Sequence, residues 1–422
     1  MRSEKISTIL RARWVLPILT PPVSGGYVAI RGREIESIDT KSYGRAVRDL
    51  GHVALLPGFF NAHTHLEFSD LAAPLGSPGQ PLPKWIGQVV GHRRAQAAAL
   101  GDAFGAHRTA AVRQGINESL RSGVVALGEI ATRGTPFPAY ENSPLNLSIF
   151  YELLSLDAAK VPELVLQATE FLDYTWNHLS GWQAGISPHA PYTVSKELMQ
   201  GGVDLAGTRN LPLCMHLAES PEELELLAAH RGLFRELLEA FGVWREEAIP
   251  LGTRPLDYLQ QLARAWRGLV VHGNYLDDIE LSFLAEQADR LTLVHCPRTH
   301  AYFGHPRFPL ADHLRRGISL AIGTDSRASN PDLDFLAEIR FLAQRHPDVA
   351  PLDILWLATL GGAKSWGLDP EYVALAKGGT ATLIAIEVSG NHNADPYEEI
   401  LGGHGRVVGV MIDGQWAIEP PL

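Results

Sequence analysis

Two histidines one residue apart end an apolar run near the start of the chain. The run LLPGFFNAHTHLEFSD covers residues 55–70 and contains His63 and His65. Alternate residues of a strand point to the same side, so the two imidazoles can bind one ion together. The alternative is a pair of hydrogen-bonded polar residues on a half-buried strand. Pro57 and Gly58 lead directly into the apolar strand, which favours metal binding.

Similar polar residues follow other short apolar runs, and Glu219 comes three residues after one of these histidines, His216. These residues are His189 in ISPHA, His216 in LPLCMHLAE, His272 in LVVHGN and Asp325 in LAIGTDS. Individually, such histidines are often structural, and the aspartate could form an Asx turn or helix cap. Together, three neutral imidazoles and one carboxylate around an open position suit Zn²⁺, with Fe²⁺ as a substitute. A carboxylate such as Glu219 beside an activated water suits general acid–base chemistry.

The elements that must position these residues are short apolar strands alternating with helical stretches across residues 57–374. Eight strands can be read there: GFFNAHTHL, GVVALGEIA, LSIFYELL, WQAGISPHA, LPLCMHLAE, GLVVHGN, RLTLVHCP and ISLAIGTDS. This alternation predicts an α/β fold, a (β/α)₈ TIM barrel, in which chemistry occurs at the carboxyl ends of the strands. The candidate residues fall at those ends. Both termini read instead as short strands with turns.

Composition narrows the functional class. The 422 residues carry a formal net charge of -11 and contain no block of lysine and arginine, which argues against a nucleic-acid partner. Cys214 and Cys296 lie inside apolar runs, as expected for a reducing compartment. No run approaches the roughly 18 apolar residues of a membrane span. We expect a soluble cytoplasmic protein that acts on a small molecule and does not associate with membranes.

Four motifs together resemble the amidohydrolase superfamily, in its mononuclear-metal deaminase and chlorohydrolase branch. They are PGFFNAHTHLE, HLAES, VHGNYLDD and GTDS. The resemblance implies a catalytic barrel over residues 57–374 and a small composite β-sandwich from residues 1–56 and 375–422. It also implies one divalent metal ion, Zn²⁺ first and Fe²⁺ second, bound by His63, His65, His216 and Asp325.

The same resemblance implies roles for the catalytic residues. His272 would orient the attacking hydroxide. Glu219 would take a proton from water and deliver it to the substrate ring, and Asp325 would help pass the second proton to the leaving amine. Binuclear relatives that open cyclic amides usually carry a lysine at the end of the fourth strand. Here that strand ends in His189, which favours one metal and resembles the substrate-contacting histidine of nucleoside deaminases.

Residues outside the metal motifs bear on the substrate. Glu67 in HLEFS resembles the subgroup that deaminates aminodeoxyfutalosine, an adenine nucleoside carrying a benzoate. The seventh-strand segment VHCPRTHAYFGHPRFPL departs from the Asn-Pro-x-Ser-Asn of adenosine-type relatives. Its Arg298 and Arg307 could pair with a substrate carboxylate or be solvated on the barrel rim. Trp85 could stack on a base or only pack, and Glu152 could face the pocket or bond internally.

These observations predict a metal-dependent hydrolytic deaminase of an aromatic amine. The expected group is the adenine ring of a nucleoside-like substrate of the aminodeoxyfutalosine or S-adenosylhomocysteine/methylthioadenosine type. The alternative is a chlorohydrolase or cyclic-amide hydrolase that uses the same metal-bound hydroxide. A non-catalytic binding protein is more remote, because all four ligands and Glu219 are present. The sequence carries no oligomer signal, and a homodimer stays open because relatives often form dimers.

Overall fold

The strands belong to three sheets. A computed structural model describes residues 7–42, 46–178, 183–391 and 394–421. Its strands are β1 (Ser7–Arg11), β2 (Trp14–Val15), β3 (Val23–Ser24), β4 (Tyr27–Arg31), β5 (Glu34–Asp39), β6 (Arg48–Asp49), β7 (Val53–Pro57), β8 (Phe59–Thr64), β9 (Val124–Ala131), β10 (Asn146–Leu153), β11 (Gln183–Pro188), β12 (Leu213–Leu217), β13 (Gly268–His272), β14 (Leu291–His295), β15 (Leu320–Ile322), β16 (Leu383–Glu387), β17 (Val407–Ile412) and β18 (Gln415–Ile418).

Most of the helices connect consecutive barrel strands, and the last ones lead to the C-terminal strands. They are α1 (Leu82–Leu100), α2 (Phe104–Arg121), α3 (Val161–His178), α4 (Lys196–Arg209), α5 (Pro221–Ala229), α6 (Leu233–Ala240), α7 (Pro255–Leu262), α8 (Asp278–Glu286), α9 (Pro297–Tyr302), α10 (Leu310–Arg315), α11 (Phe335–Arg345), α12 (Pro351–Trp356), α13 (Gly362–Ser365), α14 (Pro370–Val373) and α15 (Pro396–Gly402). In the part of the chain that the structure describes, no helix is both long and apolar enough to cross a membrane.

The central sheet is the predicted barrel. Strands β8 to β15 pair in parallel, each with the next along the chain. A bridge between Thr64 and Asp325 joins the last strand end to the first. The side chain of Asn61 reinforces this closure, because its amide nitrogen lies 2.8 Å from the Thr324 hydroxyl and its oxygen accepts the Thr324 N–H at 3.1 Å. The predicted barrel is confirmed, and each predicted strand overlaps an observed one.

Both termini contribute to the outer sheets. One sheet has the order β5-β4-β1-β6, and the other has the order β18-β17-β16-β7-β2-β3. In the second sheet β7 pairs antiparallel with β16, so N-terminal and C-terminal segments share one sheet. The division at residues 57 and 374 stays a prediction. Trp182 of the predicted fourth strand and residues 1–6, 43–45, 392–393 and 422 lie outside the described residues.

An apolar layer fills the barrel below the strand ends. Its members, all almost fully buried, are Ala62, Ile130, Phe150, Cys214, Leu269, Val271, Val294, Cys296 and Ala321. Both thiols are free and buried in this layer. His216 lies two residues after Cys214 on β12 and therefore points to the same side of the strand. The polar residues at the strand ends therefore pack directly above this apolar layer.

Gly128 on β9 provides a test of how tightly the first two barrel strands pack. A Cβ at Gly128 would lie 2.3 Å from the Ala62 carbonyl oxygen, next to His63. Because this neighbour is backbone, we expect Gly128→Ala to lower the free energy of unfolding by at least about 2 kcal/mol. The control Gly207→Ala lies in α4 with nothing within 4 Å of the added Cβ. It should gain up to about 1 kcal/mol from helix propensity. Urea unfolding measures both variants, and wild-type stability of Gly128→Ala would contradict the packing described.

Candidate active site

Four donor atoms from three strand ends converge at the mouth of the barrel. The Nε2 atom of His216 lies 3.2 Å from Nε2 of His63 and 3.2 Å from Nε2 of His65. Oδ1 of Asp325 lies 3.7 Å from Nε2 of both His63 and His65. A tetrahedral ion with bonds of about 2.0–2.1 Å keeps its ligands about 3.3 Å apart. The observed separations are close to that spacing, and the donor atoms of His63, His65 and Asp325, like those of His63, His216 and His272, all lie within 4.8 Å of one another. Binding of a single ion by the four predicted ligands stays a prediction.

The protonation of these groups also fits a cation. Burial lowers the pKa of His63 and His65 well below the usual range, and it lowers the pKa of His216 to about 4. Neutral imidazoles offer a lone pair to a metal. Nδ1 of His216 lies 3.0 Å from the His189 carbonyl oxygen, to which it donates, so Nε2 of His216 presents its lone pair to the cluster. Burial raises the pKa of Asp325 to about 7. A bound cation would favour its charged form.

A buried carboxylate fixes the chain on both sides of His65. Oε2 of Glu129 accepts the Leu66 N–H at 3.0 Å and the Thr64 hydroxyl at 3.1 Å. Oε1 of the same side chain accepts the Tyr140 hydroxyl at 3.1 Å. Burial raises the pKa of Glu129 to about 8. The carboxylate at the end of β9 thus supports the metal-binding segment of β8 and takes no direct part in the donor cluster.

Three residues at the mouth have a left-handed backbone. Ala218, His272 and Asp325 have φ of 51°, 73° and 58°. Such conformations cost about 1–3 kcal/mol each for residues with a side chain and persist only where the surroundings enforce them. The Tyr275 N–H donates to the Ala218 carbonyl at 3.1 Å, and the Asp325 N–H donates to the His63 carbonyl at 3.1 Å. Contacts between neighbouring strand ends thus hold the backbone that positions the polar side chains.

Glu219 and His272 form a second pair beside the donor cluster. Oε1 of Glu219 lies 3.5 Å from Nε2 of His272, and both side chains are buried. Burial, followed by the charges of Asp325 and Glu223, raises the pKa of Glu219 well above its usual range. Burial lowers the pKa of His272 well below its own. A buried carboxyl group with a raised pKa beside a neutral imidazole is suited to hold a proton and pass it on.

A cavity of about 400 Å³ opens above these groups. His65, His216, Glu219, His272 and Asp325 line its polar part. One wall consists of apolar residues from α1, α6 and the segment after α6: Leu82, Trp85, Ile86, Val89, Val90, Phe234, Leu237, Leu238, Phe241 and Val243. A cavity of this size with a mostly apolar wall and few convergent polar groups is typical of a site for a small organic molecule.

The structure places four of the predicted substrate residues in this cavity, namely His189, Glu67, Trp85 and Glu152. Oε2 of Glu67 pairs with Arg93 at 3.3 Å and Arg108 at 3.2 Å. Oε1 of Glu67 is buried and has no hydrogen-bond partner within the described part of the chain. Burial raises the pKa of Glu152 to about 7. Both carboxyl groups therefore have capacity for a ligand, and their contact with substrate stays a prediction.

Trp85 has a structural contact in addition to its place in the cavity. Its Nε1–H donates to the Ala328 carbonyl oxygen at 3.1 Å. The indole packs edge-on against Phe303, with 5.2 Å between ring centroids. These contacts fix the orientation of the ring at the start of α1. The indole is therefore rigid, and its stacking on a substrate base stays a prediction.

The positions of Arg298 and Arg307 correct the prediction that they bind substrate. Arg298 lies on α9, where its guanidinium donates to Glu338 on α11 at 2.5 Å and to Asp332 at 2.7 Å. Arg307 pairs with Asp348. Neither arginine lines the cavity. The segment after β14 runs beside α11 and the residues that flank it, and carboxylates there bind both guanidinium groups.

Two other arginines, missed in the sequence, line the cavity instead. Arg93 and Arg94 lie on α1. Trp85, Val89 and Arg93 are spaced by four residues, as are Ile86, Val90 and Arg94, so each set shares a helix face. This spacing was the available signal. Arg94 forms no ion pair within the described ranges, and its guanidinium carbon lies 5.3 Å from the Phe241 ring centroid.

Comparison with known proteins agrees with this geometry. Residues 54–417 match the Amidohydrolase family. The chain belongs to this family. It is 28% identical over 378 residues to a 5-methylthioadenosine/S-adenosylhomocysteine deaminase of Syntrophobacter fumaroxidans, covering 84% of this chain and 77% of the relative. It is 29% identical over 364 residues to an aminodeoxyfutalosine deaminase of Deinococcus radiodurans, covering 82% of this chain and 80% of the relative.

A solved structure extends the comparison to the fold. The Helicobacter pylori aminofutalosine deaminase in complex with methylthio-coformycin superposes with a TM-score of 0.82 at 24% identity. The match covers 97% of this chain and all of that one. This match confirms the predicted barrel with outer sheets, and the family match over residues 54–417 confirms the predicted resemblance to the amidohydrolase superfamily.

Removing one donor tests the proposed ligand set. His216→Ala deletes the Nε2 atom that lies closest to two other donors, so we expect bound metal to fall to well under half an equivalent per chain. The control is His313→Ala, which removes a buried histidine outside the cluster and should retain the metal. Mass spectrometry of the purified, metal-loaded proteins measures the content. Full occupancy in His216→Ala would show that the ligand set is wrong.

Proposed function

We propose that this protein is a metal-dependent hydrolytic deaminase that acts on the adenine ring of a nucleoside-like substrate and releases ammonia. The observation that carries the proposal is Glu219 and His272 at 3.5 Å, beside a four-donor cluster at the base of a large cavity. Membership of the Amidohydrolase family and the deaminase relatives support this reaction.

The donor set favours one divalent ion, Zn²⁺ first and Fe²⁺ second, held by His63, His65, His216 and Asp325. Three imidazole nitrogens and one carboxylate oxygen are ligands that suit both ions. Bound there, the ion supplies Lewis acidity and lowers the pKa of water towards neutrality.

Residues of this chain would then transfer two protons. Nε2 of His272 would hydrogen-bond to the attacking water and fix its direction. Glu219 would accept a proton from that water and deliver it to a ring nitrogen of the substrate. Asp325 would accept the second proton and pass it to the departing amino group. The carbon–nitrogen bond to the amine breaks as a carbon–oxygen bond forms, so water and the amine give an oxo product and ammonia.

Polar residues on the cavity wall would select the substrate. The unpartnered Oε1 of Glu67 can accept a hydrogen bond from a hydroxyl or amino group. Glu152, with its pKa raised to about 7, can donate or accept. His189 and the rigid indole of Trp85 supply a further polar contact and a flat surface for a ring. These residue types suit a purine nucleoside.

The mouth of the cavity favours a particular substituent on that nucleoside. Leu154, Val243 and Arg94 are exposed and line the cavity, so they lie where it meets solvent. The apolar wall suits an aromatic or aliphatic group, and Arg94 suits a terminal carboxylate. S-adenosylhomocysteine also carries a terminal carboxylate, but its ammonium group would lie beside the cationic Arg94. An aminodeoxyfutalosine-type substrate carries its carboxylate on an apolar ring that suits the wall, so this combination favours that type.

Ammonia release from a substrate panel tests the proposal. The panel is aminodeoxyfutalosine, S-adenosylhomocysteine, methylthioadenosine and adenosine, with metal content measured on the same sample. We expect release from the adenine nucleosides, with the highest kcat/KM for aminodeoxyfutalosine. One bound metal per chain without ammonia from any of them would overturn deamination of adenine and direct attention to chloride or cyclic-amide hydrolysis.

Glu219→Gln separates proton transfer from metal binding. The amide keeps the size of the side chain but cannot take a proton, so kcat should fall at least about a hundredfold. The metal content should not change. The control Glu225→Gln alters a partly exposed carboxylate of α5 that pairs with Arg231 at 3.1 Å, and it should keep wild-type kcat. Near-normal turnover in Glu219→Gln would remove this residue from the mechanism.

Arg94→Gln tests the mouth of the cavity. We expect kcat/KM for aminodeoxyfutalosine to fall about tenfold or more, the effect of one charge-assisted hydrogen bond. The value for methylthioadenosine, which has no carboxylate, should stay the same. Arg307→Gln is the matched control and should change neither value. Equal losses for both substrates in Arg94→Gln would mean that the arginine supports the fold instead of the carboxylate.

A further inference from the structure

Asn274 connects the catalytic carboxylate to the segment after the seventh strand. Its Nδ2–H donates to the backbone carbonyl oxygen of Glu219 at 3.0 Å. Its Oδ1 lies 3.0 Å from Nδ1 of His300. Nε2 of His300 lies 2.7 Å from the Pro306 carbonyl oxygen. The segments that follow β12, β13 and β14 are therefore joined in one chain of hydrogen bonds that ends at Glu219.

A second chain of bonds runs parallel to the first. Nδ1 of His305 lies 2.9 Å from the Tyr275 hydroxyl. The Tyr275 N–H donates to the Ala218 carbonyl oxygen at 3.1 Å. Each histidine of the 297–308 segment thus contacts one residue of the 273–276 loop, and each of those residues contacts one carbonyl of the Glu219 loop, residues 217–220.

The Glu219 loop requires such support because its backbone is strained. Ala218 has a left-handed φ of 51°. The Glu223 carboxylate accepts the N–H groups of Ala218 at 2.7 Å and Glu219 at 3.0 Å. These bonds fix the amide side of the loop, and Asn274 fixes the carbonyl side. A shift of the loop by 1 Å would move the carboxyl group of Glu219 away from His272.

His300 holds the Asn274 amide in the orientation that this support requires. Oδ1 of Asn274 and the Pro306 carbonyl oxygen both accept, and burial lowers the pKa of His300, so the neutral ring donates to one of them at a time. The tautomer with its proton on Nδ1 is the one that donates to Asn274. Rotation of the amide by 180° would place its oxygen against the Glu219 carbonyl, where two acceptors would meet. His300 is buried, with 6% of its surface exposed.

We infer that Asn274 and His300 are positioning residues that aim Glu219 at the reacting atoms, and that His300 acts only through Asn274. The inference rests on the proposed role of Glu219 in proton transfer. Neither side chain lines the cavity, so neither contacts the substrate. Their loss should therefore change kcat and leave KM, metal content and the apolar wall unchanged.

A double-mutant cycle tests the inference. Asn274→Leu and His300→Phe remove the hydrogen bonds and keep similar volumes. Each should lower kcat for the best panel substrate about tenfold to a hundredfold with little change in KM. The double variant should be no slower than Asn274→Leu, since His300 acts through that residue. His300→Gln, which can still donate to Asn274, should recover part of kcat. His313→Phe, a buried histidine without a bond to Asn274, is the control and should keep wild-type kcat.

Several results would overturn the inference. The first is a loss of kcat in the double variant that equals the product of the two single losses. The others are no recovery of kcat in His300→Gln and loss of metal in His300→Phe. If the wild-type protein releases no ammonia from any substrate, the proposed function fails on its own. Crystal structures of the same variants then decide the inference independently. A displaced Glu219 carboxyl group in His300→Phe supports it, and an unmoved one contradicts it.

Discussion

The structure depends on the burial of three imidazoles and one carboxyl group at one point of the barrel mouth. Nε2 of His216 lies 3.2 Å from Nε2 of His63 and of His65, and Oδ1 of Asp325 lies 3.7 Å from the same two atoms. Nδ1 of the neutral His216 ring donates to the His189 carbonyl oxygen, so its Nε2 can accept a hydrogen bond from His63 or His65 but cannot donate to either of them. Buried polar groups without partners are costly. A cation at their centre removes this cost and charges the carboxylate of Asp325. The arrangement therefore suits a binding site for a positive ion.

The rest of the barrel mouth follows from this constraint. The donors come from the first, fifth and eighth strands, so the barrel must close at the eighth strand, which Asn61 and Thr324 ensure. Glu129 fixes the backbone around His65 from the second strand. The left-handed residues at the fifth, sixth and eighth strand ends turn the chain inward. The left-handed conformations are costly by themselves and persist because the surrounding contacts enforce them.

The positions of site residues could be predicted from the sequence where those residues directly follow a barrel strand. His63, His65, His216 and Asp325 each end an apolar run, and parallel barrel strands bring such ends together, so their meeting could be foreseen. Arg298 could not be placed in the same way. It follows β14 directly, but α9 turns it towards Glu338, which lies 40 residues later on α11. Arg93 and Arg94 were missed because they lie about 30 residues after the first metal motif in the sequence. Only the fold shows that their face of α1 lines the cavity. The bond from His300 to Asn274 also joins two loops whose approach no local pattern encodes.

The central claim is that the four donors of this chain bind one ion. Anomalous X-ray diffraction from crystals of the zinc-loaded protein, with data collected on both sides of the zinc edge, tests it most directly. We expect one strong anomalous peak within about 2.0–2.2 Å of Nε2 of His63, His65 and His216 and of one oxygen of Asp325. A peak elsewhere in the barrel, or two peaks bridged by a carboxylate, would contradict the account.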